Sequence, residues 1–316
     1  MLILKQKAMK PLFISLFLIL SFCVSAQEVI LQTSTCDLHG TLLQPKENPS
    51  STLVIIHAGS GATDRNGNQS ILQNNSLKML AEALEENGIA SLRYDKRAIG
   101  ESKVENFKEE EYRFDDLVTD LKSWIIKMDT DYDYKNIVVI GHSEGSLIGM
   151  LASYDNPLVD KYISIAGPGR PADEIILDQL SAQGEGIREL VFPYLQKLKS
   201  GDTIGNVPMS LMSIMRPSVQ PYVISWFQYD PAQEIAKLKI PVLIIQGDTD
   251  IQVAVSEAEI LHNASSGSKM TVVKNMNHVL KTCKSLEYKT QMATYGNQEL
   301  PLPKKFVKTM VRFILE

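Results

Sequence analysis

A serine at the apex of a sharp turn is the residue of this sequence best suited to chemistry. Ser143 lies in the pentapeptide 141–145 (G-H-S-E-G), between the apolar run 137–140 and the helix-compatible run 146–152. The glycines permit a tight turn that holds the hydroxyl clear of the backbone at the edge of a sheet. The dipole of the following helix would stabilise a developing oxyanion. The same pattern also fits a glycine-rich turn without chemistry.

A serine hydroxyl is a weak nucleophile and needs a base whose tautomer is held by a carboxylate. His278 is the best candidate for this base, because it follows the last predicted strand in a loop that would let it reach over the turn. The remaining histidines occupy positions that favour packing or surface roles: His39, His57, His142 and His262.

The candidate acid lies after the penultimate predicted strand. Asp250 follows Gly247, which allows the turn by which the chain would approach the base, and Asp248 is the close rival. The resulting order of nucleophile, acid and base along the chain is Ser, Asp, His. This order occurs in α/β-hydrolases and differs from the orders in chymotrypsin-like and subtilisin-like proteases.

Two backbone N–H groups are needed to hold an oxyanion. The residue after the nucleophile, Glu144, supplies one of them. The other should come from the loop that follows the apolar run 52–56, where Ser60 is favoured by position and Gly59 or Gly61 are the alternatives. A plain flexible turn is the other interpretation of this loop.

Predicted strands and helices alternate through most of the chain. Continuous apolar runs such as 52–56 and 240–246 are typical of strands buried on both faces. Alternation of this kind predicts a mostly parallel central sheet flanked by helices, with ligands bound beyond the carboxyl ends of the strands. Residues 170–230 interrupt the rhythm with a helical, Met-rich pattern, so we expect one domain over 27–316 with a helical cap at roughly 170–230.

The first 26 residues have the features of a secretory signal peptide. Three lysines precede an apolar stretch and a small-x-small cleavage pattern that ends at Ala26. This predicts export to the periplasm or the extracellular space, with no stable membrane insertion after cleavage. An uncleaved anchor is the alternative. Removal of the three lysines changes the formal net charge from −5 to −8.

Charge distribution, metal-binding motifs and cysteine content indicate which partners and cross-links to expect. No basic run is interleaved with aromatic residues, so we expect no nucleic-acid partner. No metal-binding motif occurs, so we expect no metal. Cys36 and Cys283 remain after signal removal, and a disulfide between them is permitted in an oxidising compartment but not indicated by the sequence.

Several motifs together resemble the α/β-hydrolase superfamily. They are the loop 57–61, the turn 93–97, the pentapeptide 141–145, the segment 244–250 and the pair 277–278. More narrowly, residues 59–68 (G-S-G-A-T-D-R-N-G-N) resemble the oxyanion loop of a group of bacterial esterases close to the serine aminopeptidase (S33-like) branch. Ala98 and Ser146 depart from this group, in which glycine is usual at both positions.

The resemblance implies hydrolysis of carboxylic esters, mostly with short acyl chains, through an acyl-enzyme and without a cofactor. A peptidase, an aminopeptidase or a thioesterase with the same triad is the alternative, and a non-catalytic binding protein is the alternative from another class. Met212, Met215 and Trp226 of the cap are candidates for an apolar acyl pocket, although packing of the cap explains them equally well. The sequence does not determine the natural substrate or the oligomeric state.

Asp64 and Arg65 in the glycine-rich loop have two interpretations. An ion pair with Asp95 or Arg97 of the neighbouring turn would order the loop. Contact with a charged group of the substrate is the other interpretation, and the structural role is favoured.

Overall fold

The structure, a computed structural model, describes residues 25–47, 49–182 and 184–316. The strands are β1 (Ser25–Gln32), β2 (Asp37–Gln44), β3 (Thr52–His57), β4 (Ala90–Tyr94), β5 (Asn136–His142), β6 (Lys161–Ile165), β7 (Val242–Gly247) and β8 (Lys269–Val273). The helices are α1 (Ser76–Glu85), α2 (Phe114–Asp131), α3 (Glu144–Ser153), α4 (Ala172–Ser181), α5 (Ile187–Lys199), α6 (Met212–Met215), α7 (Gln220–Trp226), α8 (Pro231–Ala236), α9 (Val255–Ala264), α10 (Tyr288–Tyr295) and α11 (Lys304–Leu315).

All eight of these strands form one sheet in the order β1-β2-β4-β3-β5-β6-β7-β8. β1 and β2 pair antiparallel, and β2 is antiparallel to β4, whereas the pairs from β4 to β8 are parallel. The predicted mostly parallel sheet is therefore confirmed. Because parallel strands end at the same edge, the loops after β3, β4, β5, β7 and β8 all meet there.

Helices cover both faces of the sheet. On one face, α2, α3, α8 and α9 pack against the sheet through residues such as Trp124 and Ile148. On the other face, α1 and α11 do so through residues such as Leu80 and Phe306. Every residue of β3 and of β7 is buried, which explains their continuous apolar sequences, because a strand covered on both faces has no solvent side.

A helical segment lies between β6 and β7 and has an apolar core of its own. α4 packs against α5, and Leu177, Val191, Leu195 and Val223 are among the buried residues of this core. The segment occupies the part of the chain for which a cap was predicted. Its proposed role in specificity depends on the cavities described below.

Several expectations concern the two ends of the chain. The predicted signal peptide lies outside the described residues, apart from Ser25 and Ala26 at the start of β1. α10 lies in a polar segment whose sequence has no apolar face that would mark a helix. Cys36 and Cys283 are both free thiols. No helix in the described part of the chain combines the length and the apolarity needed to cross a membrane.

Candidate active site

Ser143 lies in a strained turn between β5 and α3. Its backbone has φ 56° and ψ −123°, a region that non-glycine residues rarely adopt and that clusters at functional sites. The Ser143 N–H donates to the carbonyl of Ile165 at 2.9 Å, which ties the turn to the end of β6. The predicted strand, turn and helix are thus present, with the hydroxyl at the carboxyl edge of the sheet.

The glycines on both sides of Ser143 are required by close backbone contacts. A Cβ atom on Gly141 would lie 2.1 Å from the carbonyl oxygen of Gly145. A Cβ atom on Gly145 would lie 2.6 Å from the carbonyl oxygen of Ala58. Both distances are too short for real atoms, so the turn and the end of β3 approach each other only because these side chains are absent.

We expect Gly145→Ala to destabilise the protein. The added methyl group meets backbone atoms, which cannot rotate away as a side chain can, so the free energy of unfolding should fall by about 1–3 kcal/mol or more. Urea unfolding of the variant measures this change. Gly205→Ala is the matched control, because no atom lies within 4 Å of its added Cβ. Equal stability of the two variants would contradict the steric interpretation.

The structure brings Ser143, His278 and Asp250 into one hydrogen-bonded series. The Nε2 atom of His278 lies 3.1 Å from Ser143 Oγ. The Nδ1 atom of the same ring lies 2.8 Å from Asp250 Oδ2. These are the contacts that a nucleophile, a general base and an orienting carboxylate make. His278 is thereby placed between two residues far from it in sequence.

The Asp250 carboxylate is held on both of its oxygens. Oδ1 accepts from the N–H groups of Gln252 and Val253, and Oδ2 also accepts from Gln246 Nε2 at 3.0 Å. Burial raises the pKa of Asp250, but the charge and hydrogen bond of His278 and the two N–H groups outweigh burial, so the pKa is lowered overall. Asp248, its rival, is exposed and accepts from the N–H of Asn275.

His142 supports the loop that carries the candidate base. Its Nε2 lies 2.8 Å from the carbonyl oxygen of His278 and donates to it, and its ring centroid lies 5.0 Å from that of His278. Sequence reasoning assigned His142 only a packing role, because neighbours of an elbow serine point away from the serine. The structure shows that pointing away brings this ring against the backbone of the base.

His57 and His142, two of the three buried histidines, predict a loss of stability in acid. Burial lowers the pKa of His57 to about 3, with a smaller effect of Lys96, and lowers that of His142 to about 4, with a smaller effect of His278. A histidine in the unfolded state has a pKa of about 6.5. As pH falls from about 6.5 to about 4, these histidines therefore bind protons in the unfolded state but not in the folded state. Their contribution to the free energy of unfolding is complete above this window and is lost within it.

We expect the free energy of unfolding to decrease in this window by up to about 1.4 kcal/mol per pH unit for each of these histidines. Urea unfolding between about pH 7 and about pH 4 measures the decrease. The amide of His142→Gln can still donate to the carbonyl of His278. In this variant the decrease in the free energy of unfolding should be smaller by the contribution of one histidine. An unchanged slope in this variant would contradict the assignment.

The glycine-rich loop after β3 lies directly over the nucleophile. A Cβ atom on Gly59 would lie 3.1 Å from Ser143 Cβ. Neither the N–H of Ser60 nor that of Glu144 donates a hydrogen bond to another described residue. Both N–H groups, which the sequence nominated for an oxyanion hole, are therefore available to a ligand. Their role stays a prediction.

A buried lysine fixes the conformation of this loop. Lys96, which is 4% exposed, donates from Nζ to the carbonyl oxygens of Gly59 and Gly61. Burial lowers the pKa of Lys96, and the carboxylate of Glu144 partly opposes this effect. Because the lysine turns these carbonyls towards itself, they do not face the hydroxyl of Ser143. Sequence reasoning missed Lys96, although a charged residue two positions after a buried strand was a usable signal.

Arg65 also orders the loop and does not face the candidate site. Its N–H and its Nε donate to the carboxylate of Asp95 at 2.7 and 3.0 Å, so Asp95 is the partner among the two that were expected. Its guanidinium also donates to Glu28 and Glu101. These two carboxylates and His39 have ligand atoms within 4.8 Å of one another, but the guanidinium of Arg65 already binds both carboxylates, so we assign no metal role to this cluster.

Ser143 lines two cavities, called cavity A and cavity B below. Cavity A, about 180 Å³, is lined by residues that include Gln69, Asn74, His278 and Tyr295. Cavity B, about 50 Å³, is lined by residues that include Leu147, Ile175, Ile176 and Trp226. Ser60 and Gln252 line both, so the Ser143 hydroxyl lies at the junction of the two spaces.

The predicted substrate contacts of Met212 and Met215 are corrected by these cavities. Met215 is fully buried in the apolar core of the helical segment. Met212 is half-buried, and neither methionine lines a cavity that contains Ser143. Their spacing is explained by packing of short helices on each other. Of the three candidates, only Trp226 lies beside the nucleophile.

Solved structures share this fold. Est1E from Butyrivibrio proteoclasticus, solved with ferulic acid bound, matches with a TM-score of 0.60 at 19% identity, over 91% of this chain and 99% of that chain. The esterase Pf2001 from Pyrococcus furiosus matches with a TM-score of 0.59 at 19% identity, over 92% and 91% of the two chains. The sheet order, the turn at Ser143 and these structural neighbours define an α/β-hydrolase fold.

Within this class the family is also identified. Residues 73–282 match the sequence model of the family described as serine aminopeptidase, S33, and the chain belongs to that family. The esterase EstD from Thermotoga maritima is 29% identical over 259 residues, which cover 77% of this chain. This chain spans 58% of the length of that relative. The family match does not include the loop 59–68, whose resemblance to esterases stays a prediction.

Proposed function

We propose that this protein is a serine hydrolase that cleaves carboxylic esters through an acyl-enzyme intermediate. The observation that carries the proposal is the series of contacts from Asp250 through His278 to Ser143, at 2.8 and 3.1 Å. The series lies beneath two N–H groups that are free to bind an oxyanion. The names of EstD and of the two structural neighbours as esterases support the same reaction.

The proposed reaction uses only side chains and backbone groups of the chain. Ser143 Oγ attacks the ester carbonyl while His278 Nε2 takes its proton, and Asp250 holds the His278 ring and stabilises its charge. The N–H groups of Ser60 and Glu144 bind the developing oxyanion. His278 then gives the proton to the leaving alcohol. Water, activated by His278, attacks the acyl-enzyme, releases the acid and restores Ser143.

The two cavities suggest how an ester is oriented. The leaving alcohol must be within reach of the proton on His278, and His278 lines cavity A. The acyl group then occupies cavity B, whose volume of about 50 Å³ favours a short acyl chain. Trp226 and Leu147 supply its apolar contacts. The substrate class is therefore a small-molecule ester.

An aminopeptidase is the second candidate, because the matched family is described as serine aminopeptidase. Such an enzyme holds the ammonium group of its substrate with carboxylates. Among the described residues, cavity A is lined by no carboxylate, and cavity B only by Glu144. Burial raises the pKa of Glu144, and the charge of Lys96 partly opposes this effect. These surroundings favour a neutral ester over an amino-terminal ammonium group.

A p-nitrophenyl ester series, from acetate to palmitate, tests the proposal against alanine p-nitroanilide. We expect turnover that is fastest for the short esters and absent for the anilide, because cavity B is small and, among the described residues, no carboxylate lines cavity A. The reverse preference would replace the esterase by a peptidase. Absence of turnover, together with absence of fluorophosphonate labelling, would favour a non-catalytic binding protein.

We also propose that the protein is exported. The support is the sequence of residues 1–26, of which the structure describes only Ser25 and Ala26. Amino-terminal sequencing of the protein recovered from the periplasm or the medium should find Gln27 as the first residue. Recovery of an uncleaved chain from the membrane fraction would contradict the proposal.

A further inference from the structure

A third cavity lies behind the oxyanion loop and contains an incompletely bonded pair of charged groups. Cavity C, about 360 Å³, is lined by Gly61 and Ala62 of that loop and by Lys96, Glu144, Tyr112 and Tyr222. Glu144 also lines cavity B beside Ser143. Glu144 is therefore shared by the space next to the nucleophile and this larger space.

Glu144 presents a buried acceptor that nothing satisfies. The residue is 3% exposed. Its Oε1 accepts from the hydroxyl of Tyr222 at 2.6 Å, but its Oε2 is buried and has no hydrogen-bond partner among the described residues. A buried carboxylate oxygen without a donor is costly, so its retention beside the nucleophile points to a donor that arrives with a ligand.

Lys96 presents a complementary donor. An ammonium group has three N–H bonds, and two of those on Lys96 are used by the carbonyl oxygens of Gly59 and Gly61. Lys96 and Glu144 attract each other, yet no direct ion pair joins them. A group that accepts from Lys96 and donates to Glu144 would satisfy both. A hydroxyl is a compact neutral group with this capacity.

The remaining lining determines the rest of the ligand. The rings of Tyr112 and Tyr222 stack at 5.4 Å with an interplanar angle of 15°, and Phe107 contacts Tyr112 edge-on. Aromatic walls of this kind suit a flat ring. The other charged side chains that line the cavity are paired, Arg216 with Glu109 and Arg97 with Asp120. They leave no net charge for an ionic ligand.

We propose that cavity C is a substrate subsite for a neutral, hydroxyl-bearing ring of the acyl group. The inference rests on the proposed ester hydrolysis at Ser143. The acyl chain leaves the carbonyl in cavity B and passes Glu144, and its ring lies against Tyr112 and Tyr222. The ring hydroxyl accepts from Lys96 Nζ and donates to Glu144 Oε2. In this arrangement the backbone N–H of Glu144 donates to the oxyanion, and its side chain binds the hydroxyl of the acyl group.

The test compares the p-nitrophenyl esters of 3-(4-hydroxyphenyl)propanoic acid and 3-phenylpropanoic acid, which differ by one hydroxyl. A hydrogen bond to a charged group predicts kcat/KM about tenfold higher for the hydroxylated ester. Glu144→Gln should abolish this preference. The Tyr222 hydroxyl donates to Oε1 in the wild type. In the variant it keeps the amide oxygen at this position, so the amide nitrogen takes the place of Oε2. The nitrogen is a donor and cannot accept from the ring hydroxyl. Using the ratio of two esters cancels any general effect of this variant on the oxyanion hole.

Glu109→Gln is the matched control, because Glu109 lines the same cavity but its carboxylate is already bound by Arg216 and Ser218. The preference should persist in this variant. Equal kcat/KM for the two esters in the wild type would overturn the inference while leaving the esterase intact. An equal loss of the preference in Glu109→Gln and Glu144→Gln would also overturn it.

A binding measurement covers the case in which neither ester is hydrolysed. Isothermal titration of Ser143→Ala with 3-(4-hydroxyphenyl)propanamide and with 3-phenylpropanamide compares the same two rings without catalysis. We expect the hydroxylated amide to bind about tenfold more tightly. Equal affinity would overturn the subsite even if the failure of hydrolysis had already contradicted the esterase.

Discussion

Ser143→Ala is expected to lower kcat for p-nitrophenyl acetate by about 10⁶-fold. The Ser143 Oγ is the atom that His278 Nε2 reaches at 3.1 Å, and removal of the nucleophile of a serine hydrolase leaves only the contribution of the oxyanion hole and of binding. The same variant should lose covalent labelling by a fluorophosphonate, which forms its bond to this oxygen. Steady-state kinetics and intact-protein mass spectrometry measure the two effects.

Ser153→Ala is a suitable control for this experiment. Ser153 is at the end of α3, the helix that starts after the nucleophile, and its buried hydroxyl has no hydrogen-bond partner among the described residues. Its loss should leave both activity and labelling unchanged. Retention of labelling by Ser143→Ala would show that another residue is the nucleophile.

Asp250→Asn is expected to lower kcat by about 10⁴-fold, and Asp248→Asn is expected to have little effect. Asp250 Oδ2 lies 2.8 Å from Nδ1 of His278, and an amide at this position can donate to the ring nitrogen and favour the wrong tautomer of the base. The Asp248 side chain is exposed, and among the described residues its carboxylate accepts only from the N–H of Asn275. The two variants make the same chemical change two residues apart, so each controls for the other.

Ester hydrolysis by the two variants at saturating substrate measures this difference. Thermal unfolding should be followed in parallel, because Asp250 also accepts from the backbone of Gln252 and Val253. A folded Asp250→Asn variant with full activity, or a larger loss in Asp248→Asn, would show that the orienting carboxylate has been assigned to the wrong residue.

Local sequence patterns were sufficient for most of the fold. The buried strands β3 and β7 were visible as uninterrupted apolar runs, because a strand covered on both faces needs apolar residues at every position. The turn at Ser143 was visible because its glycines and serine are adjacent in the chain. α10 was missed because its segment, Tyr288–Tyr295, has no apolar face that would mark a helix in the sequence.

Long-range contacts explain why other predictions failed. Met212 and Met215 were predicted to line an acyl pocket, yet the short helices of their segment turn Met215 into a separate apolar core. The sequence did not reveal the contacts of Lys96 and Tyr222. Lys96 reaches the carbonyl of Gly59 across 37 residues, and Tyr222 reaches Glu144 across 78 residues. No spacing rule along the chain relates residues that far apart.

By itself, the sequence determined the alternating α/β architecture, the turn that presents Ser143 and the order of Ser, Asp and His along the chain. These features depend on residues within one strand, one turn or one helix, whose preferences are local. Only the tertiary structure decided which histidine lies 3.1 Å from Ser143, that His142 holds the carbonyl of His278, and that Glu144 and Lys96 face a common cavity. The physical reason is that these contacts arise where the carboxyl ends of parallel strands converge, and their distances are set by the packing of helices on both faces of the sheet.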